Sequence, residues 1–262
     1  MALARPADTD ALREVGEWVR PVTLAGEQLL AVLEPLAPLF PEGGLRRGST
    51  VTVEGGPGAT SLALALGAAA SARGSWVAGA GLGAPGWLAA AELGVALERV
   101  VVSPAPAATW ATVVATLLDA VDLVWAGLPG RVSSTDARRL AARARERGSV
   151  LVPLLRWSPG PVPSAGCWPG PADVRLVTAP VPVPPAPGVP PSASPAPTWV
   201  GLGGDGAGRL QARRVEVVAG GRGASVRERR VSLWLPGPGG EVRPAEDIPL
   251  PLLGRMSSCP GA

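Results

Sequence analysis

Between Ser49 and Leu66 the chain reads Thr50-Val-Thr-Val53, then Gly55-Gly-Pro-Gly58, then Ala59-Thr-Ser-Leu-Ala-Leu-Ala-Leu66. A β-branched strand, a glycine turn and a helix-forming run are the parts of a P-loop. There, backbone N–H groups and a helix N-terminus hold a phosphate. The motif needs G-x-x-x-x-G-K-[ST], but this turn is too short and Ala59 stands where the lysine belongs. All 24 basic residues are arginine, so no lysine elsewhere can stand in. Gly55, Gly56, Gly58, Thr60 and Ser61 therefore read as a vestigial loop, with only the Thr60 and Ser61 hydroxyls able to reach a metal. The plainer reading, a tight strand–helix turn, stays open beside it.

Other chemistries are excluded by what the chain lacks. Histidine is absent, which removes Ser-His and Cys-His nucleophile pairs and any imidazole metal site. Cys167 and Cys259 lie too far apart for a metal spacing and read by default as a reduced cytosolic pair. No catalytic residue, resident metal or cofactor is expected. Gly81-Leu-Gly-Ala-Pro-Gly86 fits G-x-G-x-x-G, but the next strand ends in Ser103-Pro104 rather than in the acid that would hold a ribose.

Elements that could position such a loop alternate from Gly48 onward. Strands are predicted at Thr50–Val53, Ser75–Gly79, Arg99–Ser103, Val121–Ala126, Ser149–Leu155 and Asp173–Thr178. Helices are predicted at Thr60–Ala72, Gly86–Leu97, Thr109–Asp119 and Thr135–Arg147. Short apolar strands alternating with helices indicate an α/β fold whose parallel sheet is covered on both faces. Upstream, Asp10–Val19 and Thr23–Leu33 read as helices, the second with Leu29, Leu30 and Leu33 on one face. Downstream, Ala179–Pro197 is a proline-rich excursion, and Arg209–Ala219 with Ser225–Leu235 form a β-hairpin. The expected division is 1–42 helical extension, 43–178 α/β core, 179–198 insertion, 199–236 hairpin completing the core, and 237–262 mobile tail. Two charge-free runs, Gly55–Ala72 and Val100–Leu118, resolve into strand plus helix rather than membrane spans. No signal peptide opens the chain, so a cytoplasmic location is expected.

Formal charge is −2 over residues 1–50, +2 over 51–180 and +3 over 181–262. An anionic partner is therefore sought first in the C-terminal third. Arg213, Arg214, Arg222, Arg227, Arg229 and Arg230 fall on the hairpin and form a candidate DNA face, against the plainer reading of a solubilising sheet edge. Trp199 and Trp234 accompany them as candidate partner contacts. Trp157 and Trp168 could stack bases or serve as buried anchors. The arginines of helix Thr135–Arg147 point in several directions and read as a solvated face.

The order of elements, with a hairpin after the parallel set, resembles the RecA core. Leu39-Phe-Pro-Glu-Gly-Gly-Leu-Arg-Arg-Gly48 resembles the lead-in of the RecA/ImuA/SulA group. Trp199-Val-Gly-Leu-Gly-Gly-Asp-Gly-Ala-Gly-Arg-Leu210, Arg213-Arg-Val215, Gly221-Arg-Gly223 and Leu233-Trp-Leu-Pro-Gly237 look like the C-terminal part of actinobacterial ImuA-type mutagenesis accessory proteins. The resemblance spans roughly residues 36–245. It implies a RecA-like protein of the DNA damage response, acting in translesion synthesis with an ImuB-like Y-family polymerase homologue and an error-prone C-family polymerase. RecA and single-stranded DNA are further expected partners. An active RecA-type ATPase also carries a Walker-B carboxylate and a water-activating glutamate. Here the corresponding strands end in Gly127 and in Ala80-Gly-Leu-Gly83, so no ATPase activity is expected. Two rivals remain: an ATP-dependent recombinase-like enzyme, and a SulA-like inhibitor binding the division protein FtsZ.

Overall fold

The computed structural model describes residues 28–155, 168–181, 199–202, 208–222 and 227–247. The helix expected at Asp10–Val19, Trp157 and both cysteines lie outside them. In chain order the elements are β1 (Leu29–Leu30), β2 (Leu45–Arg46), β3 (Val51–Gly55), α1 (Ala59–Ala72), β4 (Val77–Ala80), α2 (Trp87–Glu92) and β5 (Val100–Ser103). They continue with α3 (Trp110–Ala120), β6 (Leu123–Gly127), α4 (Ser134–Arg147), β7 (Val150–Leu154) and β8 (Val174–Pro180). The last are β9 (Trp199–Leu202), β10 (Gly208–Gly221), β11 (Arg229–Trp234) and β12 (Arg243–Pro244).

Ten strands form one sheet in the order β12-β11-β10-β8-β3-β7-β6-β4-β5, with β9 pairing β10 off that path. From β8 through β5 every pairing is parallel, and β9, β10, β11 and β12 add antiparallel ladders. This is the mixed α/β architecture the alternation predicts. Along β6, Leu123 and Trp125 turn to one face, Val124 and Ala126 to the other, and all four are fully buried. A strand covered on both sides has no use for a polar residue, which is why β6 and β7 read as continuous apolar runs.

One face is closed by α1 and by the turn Glu34–Leu39, whose Leu36 and Leu39 are fully buried beside Val215, Val217 and Leu233 of the hairpin strands. The other is closed by α3, α4 and Trp168. The indole of Trp125 lies across α1, its Nε1 donating to the Ala63 carbonyl at 2.7 Å. A Cβ on Gly67 would stand 2.5 Å from that ring, so a helix-interior glycine is kept despite its cost of about 1 kcal/mol. Helix α4 starts from Ser133, whose Oγ accepts from the Asp136 N–H at 3.0 Å, and stops at Gly148 with φ 70°. Its Arg143 and Arg147 hold Asp119 of α3.

Three expectations are corrected. Residues 29–33 are not helical: Leu29 and Leu30 pair with Arg46 and Leu45 as a small antiparallel sheet, and Leu30 is buried. Non-local pairing overrides the local helical spacing of the leucines. With Leu36, Leu39 and Phe40 in the core, residues 28–42 are part of the α/β body rather than an extension. The tail packs as far as Asp247, because β12 pairs with β11 and Val242 and Ala245 are buried. Of the two readings left open for Trp168, the structure takes the buried anchor, its Nε1 donating to the Pro171 carbonyl.

Among the described residues no helix is long and apolar enough to cross a membrane. Replacing Trp125 with alanine is expected to cost about 3–5 kcal/mol, from lost transfer energy and the cavity left behind. Gly67→Val is expected to destabilise as well, by overpacking against the indole. Urea denaturation followed by circular dichroism measures both.

Candidate functional site

Strand β3 delivers the glycine turn to the carboxyl end of the sheet. Gly55 has φ 118° and Gly58 φ 107°, both in the region that only glycine enters easily. A side chain on Gly55 would collide with the backbone of Thr178 on β8, and one on Gly58 would stand 3.0 Å from Val215. Ala59 is buried, Thr60 is exposed and Ser61 is half-buried. The alanine at the lysine position thus points into the core rather than toward a ligand.

The cation nearest the turn comes from another part of the chain. Arg213 of β10 is 6% exposed, and its guanidinium reaches the first turn of α1. Nη2 donates to Ser61 Oγ at 3.4 Å, Nε donates to the Leu235 carbonyl at 3.3 Å, and the group lies 4.2 Å from the Trp199 ring. Among the described residues no carboxylate comes within 4.0 Å of it. Burial without a counter-charge pulls its pKa down to about 10, so it stays charged at neutral pH. Oxygen acceptors and a π face take the place of an acid.

The two strand ends where the resemblance would place carboxylates are closed by packing. Gly127 ends β6, and its carbonyl accepts from Trp110 Nε1 at 2.8 Å. A Cβ there would stand 2.5 Å from the carbonyl oxygen of Gly81, the residue after β4. Ala80 at the end of β4 is itself fully buried. The Gly81–Gly86 turn is used in the same way: the Gly81 N–H donates to the Ser103 carbonyl at 3.1 Å, and the helix that follows has six residues. It is a packing turn between β4, β5 and β6.

The candidate DNA face does not form one patch. Arg213 and Arg222 lie nine residues apart on an extended strand, about 30 Å. Arg213 is buried, and Arg230 is held by Glu216 and Glu228 at 2.8 Å each. The Nε of Arg214 is buried with no partner among the described residues. Arg227 and Arg222 are exposed and Arg229 is half-buried. Trp234, expected to meet a partner, is 1% exposed and packs with Ala212, Ala245 and Val200. It is buried because Ala212, Val200 and Ala245 cover it on the face of β11 opposite to that of Leu233, which lies in the main core. Trp199 keeps partial exposure, with Arg213 on its ring.

One site escaped the sequence reading. At the amino end of the parallel strands a cleft of about 400 Å³ is lined by Arg46, Arg47, Arg145 and Arg222, with Glu42 and Asp173 also on its walls. Its arginines come from three distant stretches, so no local motif announces it.

Residues 38–159 match the MT3502 N-terminal domain family. That match runs from the turn before β2 through β7 and ends before the hairpin that supplies Arg213. A protein of Mycobacterium tuberculosis (strain ATCC 25618 / H37Rv), named Uncharacterized protein Rv3395c, is 43% identical over 96 residues. The aligned part is 36% of this chain and 47% of the relative, so the chain spans about half the length of the curated relative it matches.

Replacing Arg213 with alanine leaves Ser61 Oγ, the Leu235 carbonyl and the Trp199 ring without their cation. It is expected to cost about 1–3 kcal/mol of stability. Arg227→Ala, at an exposed position, is expected to stay within about 0.5 kcal/mol. Parallel urea titrations of the two variants separate these outcomes.

Proposed function

We propose that this chain is a non-catalytic RecA-like accessory factor of the ImuA type. It helps to assemble an error-prone translesion polymerase complex by binding an ImuB-like Y-family polymerase homologue, with an error-prone C-family polymerase, RecA and DNA as further partners. The observation that carries the reading is the backbone contact between Gly127 and Gly81. The place a metal-holding carboxylate would need is filled by main chain. Phosphoryl transfer depends almost wholly on positioned charge, and among the described residues no carboxylate lies within 4.0 Å of Arg213, the cation beside the turn. The resemblance of the lead-in and of the Trp199–Gly237 segment is what supports the family reading.

A surface suited to a protein partner accompanies this. Edge strand β5 leaves Val101 and Val102 exposed, and Arg99 just before it lies 5.2 Å from the ring of half-open Trp76. Apolar residues on an open sheet edge are commonly covered by another chain.

Removal of residues 198–262 is not a usable test of partner binding, because Val215, Val217 and Leu233 belong to the main core. The full chain is used instead. Purified protein is expected to show no ATP hydrolysis above background, and Ala59→Lys is expected to leave that unchanged. Turnover abolished by Thr60→Ala would reverse the non-catalytic reading. Affinity capture with the tagged full chain is expected to retain the ImuB-like polymerase homologue, and Trp199→Ala to weaken that retention. Capture of FtsZ in place of the polymerase homologue would replace this reading with the SulA-like one.

A further inference from the structure

We propose that the arginine cleft at the amino end of the parallel strands is a phosphate-binding site. Its ligand is the phosphodiester backbone of nucleic acid, contacted without reading the bases. The proposal deepens the DNA part of the function proposed above and moves the contact away from the hairpin face.

The cleft gathers arginines from three separate stretches into one concavity. Arg47, Arg143, Arg147, Arg175, Arg230 and Arg243 each lie within 4.0 Å of a carboxylate. Arg46, Arg145 and Arg222 line the cleft and have no such partner among the described residues. All three are exposed. They arrive on separate elements: β2, the last turn of α4, and the residue after β10. Each position is fixed by the fold. Gly48 lets β2 approach α4 so closely that a Cβ there would stand 3.1 Å from the Cα of Arg145. The Arg222 N–H donates to the Asp173 carbonyl at 3.2 Å, which ties the hairpin end to the start of β8.

The acids on the walls do not consume these cations. Asp173 directs Oδ2 to the Thr50 N–H at 2.9 Å, Arg47 pairs with Asp122 at 2.8 Å, and among the described residues no carboxylate lies within 4.0 Å of Arg46, Arg145 or Arg222. With Arg47 paired to Asp122, three arginines still face Glu42 and Asp173, so an anion meets a net positive wall. Guanidinium forks suit phosphate oxygens, which they engage through paired N–H donors. Phe40 is the single aromatic on the wall and is 4% exposed, so no ring is offered for base stacking. A site with phosphate donors and no base platform takes a sequence-independent backbone contact.

The test measures fluorescence anisotropy of a labelled oligothymidylate with the full chain across a salt series. Three phosphate contacts predict a slope of log K against log salt of about −2 for the intact protein. The triple variant R46A/R145A/R222A is expected to lose most of that slope, and R46K/R145K/R222K to keep it. R227A/R229A, on the hairpin, is expected to match the intact protein. An unchanged slope in the triple alanine variant, or no binding by the intact protein, overturns the proposal. A mononucleotide competing as well as the oligomer at equal phosphate concentration overturns the nucleic-acid source. Retention of the polymerase homologue by the triple alanine variant, scored separately, keeps failure of this site distinct from failure of the assembly role.

Discussion

Backbone packed directly on backbone at the carboxyl ends of the parallel strands governs the rest of this molecule. Gly55 lies against Thr178, and Gly127 lies against Gly81, with no room for a side chain at either place. Once β3, β8, β4 and β6 close on one another there, the glycine turn becomes a structural corner. Ala59 then turns inward and α1 can lie flat on the sheet, with Trp125 keyed into Gly67. The close contacts at this end of the sheet leave room only for small uncharged residues such as Ala59 and Gly127.

The alternation of apolar strands with helices was enough to read the parallel sheet, because buried strands and amphipathic helices carry their environment in local periodicity. Boundaries moved by one to three residues in most elements. Leu29–Leu30 was misread, since a short ladder to Leu45–Arg46 is invisible to any local window. The hairpin was legible as strands, but the destination of its side chains was not. Arg213 and Trp234 look like surface residues in composition and are among the most buried of their types. Alternation alone does not say that β10 continues the main sheet, so inward and outward faces could not be assigned.

Arg213 explains how a buried cation can be tolerated without an acid. Its charge is spread over a planar group that meets a carbonyl, a hydroxyl and an indole face at once, each a weaker partner than a carboxylate. The arrangement joins β9, β10, the segment after β11 and the first turn of α1 through one side chain. It also sets the positive end of the α1 dipole beside a second positive group, an unfavourable placement offset only by those contacts.

Strand β10 pairs with β8, β9 and β11, so its residues cannot slide relative to the sheet. Arg213 near one end and Arg222 at the other are separated by an odd number of residues, which on a pleated strand sends them to opposite faces. Loss or gain of a single codon between them would therefore turn one arginine to the wrong side, whichever end stayed in register. Paired codon changes would keep the facing but shift one end by about 7 Å. The length of this segment should accordingly vary far less between relatives than its composition does.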